Sequence, residues 1–185
     1  MELTTDLKEI YPFKNNYLDI EGNKYHYLDE GDKDKEAIVM VHGNPTWSFY
    51  FRNLVKALSP HYRVIVPDHF GCGLSDKVDK SKYNLQERID NLTTLIESLG
   101  LKKYSMIVHD WGGAIGFGHA VNHVESIDKM VILNTAAFRS EHIPKTIISK
   151  KNMQKIQLKW TTHPYKNKQH ILLALIFNSY RPVKN

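Results

Sequence analysis

Three clusters of polar and glycine residues are the places where this sequence could do chemistry. They span residues 42–47, 68–76 and 109–113, and each directly follows a short apolar segment. If those segments are parallel strands, their carboxyl ends meet at one edge of the sheet, where such sheets bind ligands. The sequence therefore predicts a single site built from all three clusters.

The third cluster predicts a nucleophile elbow, a sharp turn between a strand and a helix that lifts one side chain above the sheet. An apolar run leads into Asp110, and Trp111-Gly112-Gly113 then begins a helical pattern. A carboxylate is ionised at neutral pH, and the positive end of the following helix favours that form further. Asp110 could therefore attack a saturated carbon without a base, displacing a leaving group and forming an ester.

Two neutral donors could stabilise the charge that builds on the leaving group. The Trp111 indole N–H and the Asn44 amide N–H come from neighbouring strand ends and would not neutralise the nucleophile. The simpler alternative is that Asp110 only caps its helix, a common role for aspartate. The residues around Asp110 leave both roles open, whereas the two companion clusters favour a built site.

Hydrophobic patterns predict the elements that position these clusters. Two short segments, 17–20 and 24–29, flank a glycine turn and predict a β-hairpin. Continuous apolar runs predict strands covered on both faces. Their ranges are 37–41, 62–66, 105–108 and 130–133.

Helical patterns lie between the strands. The clearest one runs from Leu85 to Leu99, with Asn84 and Glu87 as a capping box and Gly100 as a stop. The other two cover 49–58 and 112–123. Strands that alternate with helices predict an α/β fold, with a mostly parallel sheet and an antiparallel N-terminal hairpin.

Composition limits the remaining possibilities. The 185 residues are 42% hydrophobic and 24% charged, which excludes a disordered or fibrous chain. Cys72 is the only cysteine, which excludes an internal disulfide and favours a reducing compartment. The longest apolar run, 171–177, is shorter than the roughly 20 residues that span a bilayer. We therefore expect a cytoplasmic protein without stable membrane insertion.

The three clusters together resemble the haloalkane dehalogenase branch of the α/β-hydrolase fold. The matching sequence motifs are His42-Gly43-Asn44-Pro45-Thr46-Trp47-Ser48, Pro67-Asp68-His69-Phe70-Gly71-Cys72-Gly73-Leu74-Ser75-Asp76-Lys77 and Val108-His109-Asp110-Trp111-Gly112-Gly113. Within that branch, flanking motifs that include Leu133-Asn134-Thr135-Ala136-Ala137-Phe138 are similar to the β-lactone decarboxylases of bacterial olefin biosynthesis. The resemblance extends from about residue 6 to about residue 148.

The resemblance implies a three-layer α/β-hydrolase sandwich with Asp110 as the nucleophile. It makes Trp111 and Asn44 the donors to the leaving halide or oxygen, with their backbone amides lining the oxyanion hole. We therefore expect first a hydrolase of the haloalkane dehalogenase type that cleaves small apolar haloalkanes to an alcohol and halide. The alternative is a β-lactone decarboxylase, whose lactone substrate loses carbon dioxide to give an alkene. The resemblance implies no metal, no organic cofactor and no nucleic-acid partner.

Other polar residues of the clusters have simpler interpretations. His109 is expected to pack within the fold, because neighbouring strand residues face opposite sides. His42 is expected to shape its loop, and Asp68 and Asp76 are expected to organise their turn through side-chain-to-backbone bonds. Cys72 has no obvious basic neighbour in the sequence, so we expect an unactivated thiol.

The resemblance also implies a histidine base and a supporting acid that this sequence does not present. Asn134 stands where some relatives place the acid, and residues 142–185 carry nine basic residues and no carboxylate. We therefore expect residues 1–148 to form the N-terminal part of the core and 149–185 to be a basic tail, a divergent or frame-shifted remnant of a cap. His163 and His170 in that tail belong to no motif, so a third hypothesis is a catalytically incomplete fragment.

Overall fold

A computed structural model describes residues 5–135 of the chain. The predicted boundary at 148, the tail 149–185 and the 136–138 part of the last matching motif lie outside the described residues. The strands are β1 Asn16–Ile20, β2 Asn23–Glu30, β3 Ala37–Val41, β4 Arg63–Pro67, β5 Tyr104–His109 and β6 Ile127–Leu133. The helices are α1 Thr5–Ile10, α2 Arg52–Leu58, α3 Leu85–Ser98 and α4 Trp111–Ala120.

The six strands form one sheet in the order β1-β2-β4-β3-β5-β6. The hairpin β1–β2 is antiparallel and joins β4 in an antiparallel pair, whereas β3 pairs in parallel with both β4 and β5. Strand β6 adds in parallel to β5. The predicted mostly parallel sheet with an antiparallel start is therefore confirmed.

The central strand β3 explains why its sequence is apolar without alternation. All five of its residues are buried, and they divide between two hydrophobic clusters on opposite faces of the sheet. Val39 and Val41 pack with residues of α3 and α4, whereas Ile38 and Met40 pack with Val55 of α2. Each such side chain contributes roughly 1.5–3 kcal/mol when fully buried, so these two layers hold the strand ends in place.

Helix α3 follows the predicted pattern closely. The Asn84 side chain accepts a hydrogen bond from the backbone N–H of Glu87 at 3.0 Å, which satisfies one free donor of the first turn. Leu92 and Leu95 are fully buried against the sheet. Gly100 has φ +65°, the left-handed conformation that ends many helices.

Two helices differ from the prediction at their ends. The segment expected as one helix over 49–58 begins as a 3₁₀ turn at Ser48–Phe51 before α2. Helix α4 ends at Ala120 rather than at 123. There the ring Nδ1 of His123 hydrogen-bonds the carbonyl of His119 at 3.0 Å, so the side chain takes the acceptor that the next helical N–H would use. Among residues 5–135, no helix is long and apolar enough to cross a membrane.

Candidate active site

The three polar clusters meet at the carboxyl ends of β4, β3 and β5, which are neighbours in the sheet. Beside them lies a cavity of about 350 Å³. Its walls include Gly43 and Asn44 from the first cluster, His69 and Cys72 from the second, and Trp111 from the third. The predicted convergence of the clusters is therefore present in the fold.

Asp110 adopts the backbone geometry of a strained turn. Its φ of 53° and ψ of −127° lie outside the regions that residues with a side chain normally occupy, at a cost of roughly 1–3 kcal/mol. The turn fits because Gly112 passes close to β3: a Cβ there would lie 2.1 Å from the carbonyl oxygen of Val41. The sharp strand-to-helix turn predicted at this position is thus built into the backbone.

The Asp110 carboxylate does not cap its helix. Asp110 occupies the cap position of α4, yet its side chain makes no capping hydrogen bond. Its Oδ1 instead accepts a hydrogen bond of 2.9 Å from the backbone N–H of Asn44, 66 residues earlier. Within residues 5–135, Oδ2 accepts no hydrogen bond, so one oxygen is held and the other remains available.

The backbone of the turn is fixed as well as its side chain. The Asp110 carbonyl accepts hydrogen bonds from the N–H of Gly113 at 2.9 Å and from the Thr135 hydroxyl at 2.6 Å. Gly113 must lack a side chain there, because a Cβ would lie 2.2 Å from that same hydroxyl oxygen. Thr135 therefore links the end of β6 to the elbow.

The Gly43–Asn44 peptide unit supplies the donor that holds Asp110. Its carbonyl oxygen accepts hydrogen bonds from His42 Nδ1 at 2.7 Å and from the Thr46 hydroxyl at 3.0 Å, which fixes the plane of the peptide. Gly43 has no room for a side chain, since a Cβ would lie 2.3 Å from the Cβ of Asp110. The next peptide bond, Asn44–Pro45, is cis.

Two buried histidines support this loop in their neutral forms. His42 Nε2 accepts a hydrogen bond from the backbone N–H of His69 at 3.1 Å. The proton of the His42 ring is therefore on Nδ1, which donates to the carbonyl oxygen of Gly43. His69 Nε2 donates in turn to the His42 carbonyl at 3.2 Å. Burial lowers the pKa of both rings, that of His69 far below its ordinary value. The expectation that His42 shapes its loop is therefore confirmed.

Asp68 is fully buried, and its carboxylate joins several segments instead of only stabilising its own turn. Its carboxylate accepts hydrogen bonds from the backbone N–H groups of Ser48 at 2.7 Å and Leu74 at 2.9 Å, as the side-chain-to-backbone prediction requires. It also pairs with His26 Nδ1 at 2.9 Å, a contact the sequence did not indicate. Burial alone would raise the pKa of Asp68, but the hydrogen bonds from His26 and Leu74 lower it.

The prediction for Asp76 was only partly right. Its Oδ2 accepts the backbone N–H of Lys24 at 2.8 Å, so it fastens the cluster to β2 instead of closing its own turn. His109 packs as expected, with its ring stacked on Tyr50 at 4.3 Å between centroids. Its buried Nδ1 has no hydrogen-bond partner among residues 5–135, and burial lowers its pKa.

The expectation that Cys72 has no basic neighbour was wrong. Arg88 lies close enough to Cys72 for its positive charge to lower the pKa of the thiol, and its guanidinium lies 5.9 Å from the Tyr83 ring centroid. Burial nevertheless raises the pKa of the thiol, so the prediction of an unactivated cysteine is confirmed. One signal could have revealed Arg88: it interrupts the apolar stripe of α3, three residues after Leu85 and four before Leu92.

Comparisons with known proteins agree with this geometry. Residues 36–167 match the family model of the alpha/beta hydrolase fold. A cis-3-alkyl-4-alkyloxetan-2-one decarboxylase of Shewanella oneidensis is 53% identical over 143 residues, covering 76% of this chain and 43% of that protein. Haloalkane dehalogenase 2 of Mycobacterium tuberculosis is 35% identical over 127 residues, covering 69% and 44%.

Among solved structures, the haloalkane dehalogenase DpaA of Paraglaciecola agarilytica superimposes with a TM-score of 0.68 at 34% identity. The match covers 74% of this chain and 48% of that one. The chain thus spans less than half the length of the curated relatives described above. Because the family model covers more than half of the chain and the elbow has the geometry described above, the chain belongs to the alpha/beta hydrolase fold family.

Proposed function

We propose that Asp110 is the nucleophile of an enzyme that displaces a leaving group from a saturated carbon through an alkyl-enzyme ester. The observation that carries this proposal is the orientation of its carboxylate, which accepts the Asn44 N–H at 2.9 Å instead of capping α4. The bound Oδ1 fixes the direction of the group, and Oδ2 remains for attack. A nucleophile that is held in one orientation lowers the entropic part of the barrier.

The side chains of Trp111 and Asn44 are the proposed donors to the leaving group. Both residues line the cavity, and the Trp111 side chain is 38% exposed. Neutral N–H donors stabilise an emerging anion without pairing with the nucleophile in the resting state. The neutral histidines His42 and His69 preserve this arrangement, because neither adds a positive charge beside Asp110.

Of the two substrate classes, we propose a β-lactone with alkyl substituents on both ring carbons as the first choice. The 53% identity with a decarboxylase named for this ring exceeds the 35% identity with the haloalkane dehalogenase. A haloalkane remains the second candidate, supported by the superposition on DpaA. In both reactions the first step is the same attack on a saturated carbon.

The test is covalent labelling of the purified chain. It is incubated with a long-chain 1-bromoalkane and, separately, with a cis-3,4-dialkyl β-lactone, and intact mass, free bromide and alkene are recorded. We expect an added mass on Asp110, lost in Asp110→Asn and kept in Asp90→Asn, which removes an exposed carboxylate on α3.

The outcomes separate the hypotheses. Alkene release with no more than one equivalent of bromide per chain supports the decarboxylase, and bromide release beyond one equivalent without alkene supports the dehalogenase. A stable adduct from the bromoalkane without turnover supports an intact nucleophile that lacks its hydrolytic base. A folded chain that gains no mass from either compound contradicts the proposed nucleophile and favours the inert fragment.

A further inference from the structure

Arg88 places a positive charge at the wall of the cavity, and within residues 5–135 no carboxylate forms an ion pair with it. The residue lies in the first part of α3 and lines the same cavity as Asn44 and Trp111. Among residues 5–135, no carboxylate oxygen lies within 4.0 Å of its guanidinium. The guanidinium lies 5.9 Å from the centroid of the Tyr83 ring, near the Cys72 thiol.

Within residues 5–135, the wall of the cavity that contains Arg88 has no carboxylate. His42 and His69 are neutral in the folded protein, and the Arg88 charge helps to lower the pKa of both rings. Asp68, the nearest buried carboxylate of the second cluster, is already saturated by His26 and two backbone N–H groups. A half-buried guanidinium in such a setting is ready to bind an anion.

The geometry of the two possible leaving groups differs. A halide is a single atom, which one or two neutral N–H donors can hold. A carboxylate has two oxygens, and the planar fork of a guanidinium can match both with parallel hydrogen bonds. The side chains of Trp111 and Asn44 can therefore bind a halide by themselves, whereas Arg88 adds the two parallel N–H donors that match the two oxygens of a carboxylate.

We propose that Arg88 is a catalytic residue that binds the carboxylate formed when Asp110 opens a β-lactone ring, and so favours β-lactones over haloalkanes. This inference rests on the proposed function and names the group that selects its substrate. In the first step an Asp110 oxygen bonds to the saturated ring carbon C4. The C4–O1 bond breaks, and its electron pair remains on O1 as part of a carboxylate.

The second step restores the enzyme without water or an added base. The electron pair of the C2–C3 bond forms the C3=C4 double bond, and C2 leaves with its two oxygens as carbon dioxide. The bond from C4 to the Asp110 oxygen breaks at the same time, which returns the carboxylate. Atoms, charge and electrons balance, and Arg88 acts on the ring-opening step by neutralising the new carboxylate.

The kinetic test compares Arg88→Met with the wild-type chain on both substrates. We expect β-lactone adduct formation or alkene release to slow by about 10- to 100-fold, the usual loss for a charge-assisted hydrogen bond. Reaction with a bromoalkane of equal chain length should change by less than about 3-fold. Arg88→Lys keeps the positive charge but lacks the planar guanidinium, so its rate with the β-lactone should lie between the rates of wild type and Arg88→Met.

Arg52 provides a matched control. Its guanidinium also lies over an aromatic ring, 4.1 Å from the Phe49 centroid, and does not line the cavity. Arg52→Met should leave both reactions unchanged. Equal slowing of both substrates in Arg88→Met would show that the residue only supports the local packing of Cys72 and Tyr83, and unchanged lactone chemistry would also overturn the proposal.

A binding measurement separates this proposal from the proposed function. Dodecanoate and dodecanol are titrated into the Asp110→Asn chain and into the same chain carrying Arg88→Met, with calorimetric detection. We expect Arg88→Met to weaken dodecanoate binding by about 10-fold or more and to leave dodecanol binding unchanged. If wild type reacts with neither substrate but this difference appears, only the proposed function fails; if dodecanoate binding does not depend on Arg88, the anion site is refuted.

Discussion

Replacement of Gly43 by alanine should disable the proposed nucleophile, Asp110, without changing any reactive group. The added Cβ would lie 2.3 Å from both the Cβ and Oδ1 of Asp110, whereas ordinary contacts begin at 3.4 Å. One of the two segments must therefore move by about 1 Å, and the 2.9 Å bond from Asn44 N–H to Oδ1 cannot survive that shift. A displacement of this size costs about 100-fold in rate.

The assay is the rate of Asp110 adduct formation, followed by intact mass with a bromoalkane or a β-lactone. Gly118→Ala is the matched control, because its Cβ would meet Ile89 Cδ1 at a similar 2.2 Å but on the α3–α4 contact, away from the three clusters. That variant should lose stability and keep its labelling rate while folded. A folded Gly43→Ala chain that labels as fast as wild type would refute the assigned role of this loop.

Three further changes test other parts of the fold. Trp111→Phe should slow adduct formation by roughly 100-fold, as loss of one leaving-group donor does; an unchanged mass-labelling rate would contradict the donor role. Asp68→Asn should cost about 3–5 kcal/mol in urea unfolding, because it strips the charge from a buried pair. The pKa of Asp68 is lowered in the folded protein, so the free energy of unfolding that its carboxylate contributes should be fully present above about pH 4 and should decrease at lower pH. Asp68→Asn should not show this decrease at acid pH. Burial lowers the pKa of His119 to about 3 in the folded protein. The free energy of unfolding that neutral His119 contributes is therefore fully present above the pKa of about 6.5 in the unfolded chain, and it falls by up to about 1.4 kcal/mol per pH unit as the pH drops toward 3. His119→Gln should unfold in urea with a shallower pH dependence, and an unchanged slope would exclude this histidine as the source.

The positions of the clusters could be predicted because their causes are local in sequence. A short, fully apolar run such as 37–41 is typical of a strand covered on both faces, and the residues after such a strand then lie at the edge of the sheet. The bounds of helix α3 could also be predicted, because its N-cap, its apolar face and the glycine that ends it all lie within one segment of the sequence.

The contacts between distant segments could not be read in this way. The pairing of Asp68 with His26 joins residues 42 apart, and the proximity of Arg88 to Cys72 depends on how α3 lies against the second cluster. The role of Asp110 was similarly open, because a cap and an elbow use the same sequence. Only the backbone torsions and the Asn44 contact distinguish the two.

The bond between Asn44 and Asp110 has a consequence for how the protein reaches its native state. These residues follow Val41 and Val108, which face each other in the parallel pair β3–β5. A slip of one residue between the two strands would reverse every side chain of the shifted strand and separate the donor from its acceptor. Chemical labelling of this carboxylate would therefore report correct alignment of the innermost strands, and refolding could be followed by quenching samples with an alkylating substrate at successive times.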